Sequence, residues 1–175
     1  ALFGTGVLVA NAVLLKVLSV ASFFIDGYAY ATESLAGVYL GAKNKKNLRE
    51  LLILTVRSSV VTGFILVAIF VGFPSTMFGL MTDHQTVLDV VYLYMYWLFP
   101  VVGIGAVAYA LDGYFIGLTL SAVMRRSMLV SVAFFVVGSA AAMYLQNNHV
   151  LWAAWVVFMG LRAITLGRHA PPTWS

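Results

Sequence analysis

The sequence contains no cysteine, and only 9% of its residues are charged. Without cysteine, a disulfide framework, a thiol nucleophile and a thiolate metal site are all excluded. Soluble domains carry about 25% charged residues, so this chain cannot expose most of its surface to water. The three histidines are scattered outside the apolar runs, and we therefore expect no metal site and no cofactor.

Hydrophobic residues make up 62% of the 175 residues, which is typical of a helical membrane protein with several spans. The net charge of +4 raises the possibility of nucleic acid as a partner. However, the basic residues lie in short connections between apolar runs and form no single patch, so we expect no nucleic acid. The expected partner is the lipid bilayer.

Five apolar runs are long enough to cross a bilayer, since a helix rises 1.5 Å per residue and a span needs roughly 20 residues. They cover residues 7–40, 51–73, 90–118, 128–145 and 150–166. The first run would reach about 51 Å as a straight helix. It must tilt, protrude or bend, and Asp26-Gly27 is the candidate position for a bend. Pro100 is predicted to kink the third run, and Arg162 to extend its side chain to the membrane surface.

The connections alternate in charge, which predicts the orientation of the chain. Lys and Arg occur in the first connection (GAKNKKNLRE), in the third around Met124, and in the tail. The second and fourth connections contain neither residue. Because Lys and Arg remain on the cytoplasmic side, we expect a multi-pass protein of the cell inner (plasma) membrane with a cytoplasmic C-terminus. In the second connection, Thr82-Asp83-His84-Gln85 fits a capping box at a helix start.

The first apolar run contains two carboxylates. Asp26, Tyr30 and Glu33 stand at i, i+4 and i+7, and Ser22 precedes Asp26 by four residues, so all four share one helix face. An Asp at mid-bilayer costs about 2.5–3.5 kcal/mol even on the lower insertion scales. The face should therefore look into the bundle or a water-filled cavity. A carboxyl that water reaches from either side in turn is suited to proton exchange.

The third run repeats this motif. Asp112-Gly113-Tyr114 matches Asp26-Gly27-Tyr28, and each is followed by a GxxxG pattern, at Gly37 to Gly41 and at Gly113 to Gly117. Such spacing of small residues lets helix backbones pack closely. We interpret Asp26, Asp112 and Glu33 as candidates for cation coupling or for lining a cavity. The alternatives are that each Asp only fixes helix packing and that Glu33 is a solvated rim residue.

Further polar residues in the runs are candidates for a substrate cavity: Tyr28, Tyr30, Asn11, Tyr109 and Tyr114. Tyrosine rings offer aromatic faces to cationic substrates. Asn11 has an alternative role as a hydrogen bond between helices. Lys16 either pairs with a carboxylate outside this chain or extends to the membrane surface.

Several segments together resemble a known family. The segments VANAVL, FFIDGYAYATESLAGVYLGAKN, LFPVVGIGAVAYALDGYFIGLT and NNHVLWAAWVVFMGLRAITL are similar, in this order, to the C-terminal lobe of the MATE (multidrug and toxic compound extrusion) transporters. The resemblance implies an all-α membrane protein of twelve helices in two six-helix lobes. This chain would supply five helices of the C-terminal lobe at residues 5–170, with 1–4 ending a preceding helix and 171–175 a cytoplasmic tail.

The resemblance also implies a function. Members of this family are secondary antiporters that export small organic compounds in exchange for H⁺ or Na⁺, with the two lobes rocking about a central site. The expected partners are thus small organic substrates and the missing N-terminal lobe. Alternatives are a flippase for lipid-linked oligosaccharides, which needs a cationic cavity, and an inactive half-transporter. An enzyme is not expected, since the sequence offers no pair of nucleophile and base and no metal cluster.

Overall fold

The computed structural model describes residues 4–170, and these residues are almost entirely helical. Most of the predicted helix end at 1–4 and the predicted tail at 171–175 lie outside the described residues. The α-helices are α1 (Thr5–Gly41), α2 (Lys45–Gly72), α3 (Pro74–Gly79), α4 (Gln85–Tyr94), α5 (Leu98–Gly117), α6 (Ser121–Tyr144) and α7 (Asn148–Gly167). A short 3₁₀ helix, Met95–Trp97, joins α4 to α5.

Within residues 4–170, five helical stretches are long and apolar enough to cross a membrane: α1, α2, the run from Gln85 to Gly117, α6 and α7. The prediction of an all-α membrane protein with five spans is therefore confirmed. The helix α1 has 37 residues and passes through Asp26-Gly27 without a break.

Two helices begin well before the apolar runs that were predicted as their membrane spans. The helix α2 starts at Lys45 and α6 at Ser121, so basic residues assigned to connections lie in the first turns of helices. At α2 the side chain of Asn44 accepts a hydrogen bond from the backbone N–H of Asn47 (3.1 Å), which fixes the start in a polar segment. In both helices the backbone hydrogen bonds therefore begin in a polar segment, before the part of the sequence that is apolar enough to contact lipid.

Three tight turns connect the spans and share one geometry. Lys43, Thr119 and Gln146 follow α1, α5 and α6, and each has a positive φ of 54°, 59° and 48°. In each turn the next N–H donates to the carbonyl five residues back, at 2.9, 3.1 and 3.1 Å. This is the Schellman pattern, which satisfies carbonyls at a helix end. The predicted capping box at Thr82 is not present, because α4 begins at Gln85 and its N-cap is His84. The hydroxyl of Thr82 instead accepts a hydrogen bond from the backbone N–H of His84 (3.4 Å), ahead of the helix.

The third span is irregular near its middle. The α-helix gives way to the 3₁₀ turn Met95–Trp97, and Pro100 lies one turn further on, as the third residue of α5. Proline has no N–H to donate to the carbonyl four residues back, and this weakens the ladder at that turn. The interruption of the helix thus lies where the proline removes a backbone hydrogen bond.

The helix α5 is the centre of the bundle, with α1, α2 and α7 packed around it. The closest approach is between α5 and α1. A Cβ atom at Gly113 would lie 2.8 Å from the Cα atom of Ala29, and one at Gly117 would lie 2.9 Å from the Cβ of Ala36. Gly113 faces Ala29 and, four residues later, Gly117 faces Glu33, so the two helices run in the same direction. The small residues of α5 allow backbone to touch backbone at this crossing.

The GxxxG pattern of α1, Gly37 to Gly41, makes less close contact with a neighbouring helix than predicted. A Cβ at Gly37 would be 3.5 Å from the carbonyl oxygen of Gly117, which is ordinary contact, and a Cβ at Gly41 would meet nothing within 4 Å. The helix α6 is the least enclosed span and packs mainly against α7.

Candidate functional site

The polar face of α1 borders two adjoining cavities, which we call the acidic groove. One has a volume of about 190 Å³, and its lining includes Asp26, Ala29, Tyr30, Glu33, Tyr109, Asp112, Gly113 and Ile116. The other, of about 400 Å³, is bordered by Leu15, Leu18, Ser19, Ser22, Phe23, Tyr109 and Trp155. Tyr109 of α5 lies between them. All four residues of the predicted stripe, from Ser22 to Glu33, thus face one groove between α1, α5 and α7.

Asp26 and Glu33 are the accessible carboxylates of the acidic groove. Both are half-buried. Asp26 makes no side-chain hydrogen bond or ion pair with any residue in the described range 4–170, and the same holds for Glu33. A carboxylate without a fixed partner can exchange its proton or bind a cation without first breaking an ion pair.

Asp112 differs from Asp26 and Glu33 because it forms an ion pair with Arg162 of α7. The two side chains are only 14% and 15% exposed, and the guanidinium also lies over the ring of Phe158, 5.9 Å from its centroid. The prediction that Arg162 extends to the membrane surface was therefore wrong: its charge is drawn inward by a buried carboxylate. The Oδ1 atom of Asp112 and the Nε of Arg162 are buried without a hydrogen-bond partner among the described residues.

The tyrosine candidates divide between the groove and the rest of the bundle. Tyr30 is 70% exposed and lines the acidic groove together with Tyr109. Tyr28 lies two residues from Asp26, on another face of α1, where its hydroxyl is 3.1 Å from that of Thr62 in α2. Tyr114 is completely buried beside Phe115. The structure thus places Tyr28 and Tyr114 outside the groove.

Asn11 also lies outside the acidic groove and links two helices. Its amide exchanges two hydrogen bonds with the amide of Asn148 in α7, at 2.7 and 3.0 Å. Its Oδ1 accepts a third from the indole N–H of Trp152, at 3.1 Å. Of the two roles open from the sequence, the geometry matches the hydrogen bond between helices.

Lys16 is exposed on α1 and has no ion pair within the part of the chain that the structure describes. That range also holds no group of three His, Asp or Glu side chains close enough for a metal ion.

Sequence reasoning missed Arg162 as a member of the site. A signal for it was present, since Arg162 is the one basic residue inside the fifth apolar run and Asp112 the one acid inside the third. Charged residues within a membrane pair with one another, so the two could have been matched before the structure was known.

Comparisons with known proteins agree with this architecture. Residues 1–145 match the MatE family. The chain is 32% identical over 165 residues to the DNA damage-inducible protein F of Escherichia coli (strain K12), which covers 93% of this chain and 35% of that protein. The chain therefore spans about a third of the length of this curated relative. No solved structure matches it. The match over residues 1–145, together with the five membrane-crossing helices, shows that this chain is a multi-pass membrane protein of the MatE family of transporters.

Proposed function

We propose that this chain is the C-terminal lobe of a secondary antiporter that exports organic compounds, cationic or amphipathic, in exchange for H⁺ or Na⁺. The observation that carries the proposal is a pair of carboxylates, Asp26 and Glu33, which have no partner among residues 4–170 and lie on the wall of an open groove in a membrane protein. Intramembrane carboxylates are costly, and those that line a cavity mark ion and substrate pathways.

Asp26 is the residue we assign to ion exchange. When the groove is open to water, its carboxylate releases a proton and attracts a cationic substrate. When the groove is closed to that side, the neutral form is favoured, because low polarity penalises the charge. Proton and substrate therefore compete for one carboxylate, which is the minimal requirement for antiport.

Asp112 and the tyrosines have supporting roles in this mechanism. Arg162 keeps Asp112 paired, so Asp112 contributes a fixed ion pair to the groove wall. The exposed ring of Tyr30 and the ring of Tyr109 offer aromatic faces to a cation. Apart from Ser19 and Ser22, the remaining wall is apolar and suits the hydrophobic part of an amphipathic compound.

A flippase for lipid-linked oligosaccharides is less well supported by the groove. Such a substrate carries phosphates and requires cationic side chains. The lining of the acidic groove includes three carboxylates, Asp26, Glu33 and Asp112, and the neighbouring Arg162 is already paired. The charge favours a cationic cargo.

Alternating access requires two lobes that move against each other. We expect the 175-residue chain alone to be inactive and to require an N-terminal lobe on the groove side of α1. The test therefore uses a protein in which this lobe is joined to such a partner lobe, reconstituted in liposomes.

The test compares Asp26→Asn with Asp83→Asn, which removes the same charge from an exposed position outside the groove. Uptake of a fluorescent organic cation is driven by an imposed pH gradient or Na⁺ gradient. We expect Asp26→Asn to abolish gradient-driven uptake and Asp83→Asn to retain it. Normal coupling in Asp26→Asn, at equal amounts of protein, would contradict the assignment of Asp26. The gradient that drives uptake in the unmodified protein identifies the coupling ion.

A further inference from the structure

A second cavity lies between α6 and α7, away from the acidic groove. Its volume is about 240 Å³, and its lining includes Ala122, Val123, Arg126, Ser127, Val130, Thr165 and His169. It lies where α6 begins and α7 ends, which is the basic end of both helices. We call it the α6/α7 groove.

The apolar part of the α6/α7 groove is formed by one stripe of α6. Ala122, Arg126 and Val130 are spaced by four residues and share a face, so the arginine stands between two small apolar side chains. The floor is closed by a hydrogen bond of 2.6 Å between the hydroxyls of Ser127 and Thr165. The result is an apolar slot with a cation at its rim.

Among the described residues, the charged side chains at this slot are basic. Arg126 is exposed, and His169 lies across the slot with its Nδ1 donating to the carbonyl of Thr165 at 2.8 Å. No Asp or Glu follows Asp112 in the sequence, and Arg126 makes no ion pair with any of residues 4–170. A basic slot that has no acidic partner among residues 4–170 attracts an anionic group from the surrounding membrane.

The geometry points to a binding site for an anionic phospholipid in the α6/α7 groove. Arg126 faces the phosphate, with His169 at the opposite rim, and Ala122, Val123 and Val130 contact the glycerol and the first part of an acyl chain. The apolar walls favour a lipid over a free phosphate ion, because inorganic phosphate gains nothing from burial against valine. The site is independent of the transport function proposed above.

Native mass spectrometry of the full chain in mild detergent tests this proposal, with phosphatidylglycerol or phosphatidylcholine added at equal concentrations. We expect phosphatidylglycerol to be retained preferentially. Arg126→Gln should lower its affinity about fivefold, as removal of one basic residue near a lipid headgroup does. The matched control is Arg125→Gln, which removes the same charge from the neighbouring residue, exposed but outside the lining, and should leave the affinity unchanged.

A second variant keeps the charge and changes the shape. Val130→Trp should fill the slot and reduce phosphatidylglycerol binding, with the helix content unchanged by circular dichroism. Equal losses in Arg126→Gln and Arg125→Gln would overturn the proposal, as would equal retention of the two lipids. Displacement of the lipid by millimolar inorganic phosphate would show a small-anion site and would also overturn it.

Discussion

At the scale of single residues, the two Asp-Gly-Tyr motifs have different environments although their sequences agree. Asp26 faces the acidic groove and has no partner in the described part of the chain, whereas Asp112 is paired with Arg162 and largely enclosed. A carboxylate that is fixed by a guanidinium cannot readily change its charge, because protonation would leave the arginine unpaired. Under the proposed function, we therefore assign ion exchange to Asp26 and a stabilising ion pair to Asp112.

Removal of Arg162 tests this distinction. Arg162→Gln leaves the carboxylate of Asp112 without an ionic partner in a site where it is only 14% exposed. We expect the free energy of unfolding in detergent to fall by about 3 kcal/mol, the lower end of the loss for a broken buried pair. Arg57→Gln, at an exposed position in α2, is the control and should change stability by less than about 0.5 kcal/mol.

The double variant Asp112→Asn with Arg162→Gln completes the cycle. It removes the isolated charge, and two amides in contact can form a neutral hydrogen bond. We expect it to recover part of the stability lost in Arg162→Gln alone. If the double variant is no more stable than that single variant, the ion pair is not what Arg162 contributes.

At the scale of helices, the fold depends on how closely α1 and α5 approach. Gly113 and Gly117 face backbone or Cβ atoms of α1, whereas a Cβ atom added at Gly27 of the matching motif would have no atom of a neighbouring helix within 4 Å. Two glycines in the same Asp-Gly-Tyr context therefore have different roles. One permits a helix crossing and the other does not contact a partner.

This difference predicts opposite effects of the same substitution. Gly113→Ala forces α5 away from the backbone of Ala29, and overpacking of this kind costs about 1–3 kcal/mol. Gly27→Ala meets no neighbouring helix and should stabilise the chain by up to about 1 kcal/mol, through the higher helix propensity of alanine. Both are measured as the free energy of unfolding in detergent, and equal effects would show that the crossing of α1 and α5 tolerates an added methyl group.

Features of the helices that depend on residues close together in the sequence could be predicted. Features that depend on a neighbouring helix could not. The five spans and the shared face of Ser22, Asp26, Tyr30 and Glu33 depend only on local composition and helix periodicity, and the structure places this face on one groove. The starts of α2 and α6 lie before the predicted spans, because hydropathy detects the lipid-compatible part of a helix and not its hydrogen bonds. Of the two GxxxG patterns, only that of α5 faces a backbone at both glycines, and the pattern itself does not reveal its partner.

Contacts between distant residues could not be assigned from one sequence. The pair Asp112–Arg162 joins residues 50 apart, and Asn11–Asn148 joins residues 137 apart. Asn11, Asp112 and Arg162 were recognised as polar residues within apolar runs, but several partners were possible for each, and Asn148 lies outside the runs. The positions of Tyr28 and Tyr114 outside the acidic groove likewise depend on how α1 and α5 rotate against their neighbours.

At the scale of the whole molecule, the bundle has one polar concave side and one basic end. The acidic groove lies between α1, α5 and α7, and the α6/α7 groove lies at the ends of α6 and α7. The turn after α1 and the start of α6 belong to the basic end. The connection before α4 and the turn after α6 belong to the opposite end if all five helices cross the membrane.

The absence of cysteine allows this arrangement to be measured directly. Single cysteines are introduced at the exposed positions Lys43, Ser121, Asp83 and Gln146 and labelled in intact cells with a membrane-impermeant maleimide. Because basic connections remain in the cytoplasm, Asp83→Cys and Gln146→Cys should react from outside, and Lys43→Cys and Ser121→Cys only after the cells are opened. The reverse pattern would invert the orientation, and a mixed pattern would mean that one helix does not span the membrane.

The backbone contact between α1 and α5 has a consequence for any movement of the lobe. At Gly113 and Gly117 no side chain of α5 separates the two chains, so the helices cannot shift along each other without collision at Ala29 and Ala36. Asp26 and Asp112 lie on these two helices, so their relative positions are fixed. During a transport cycle they would keep their mutual spacing and meet water, or be withdrawn from it, at the same moment.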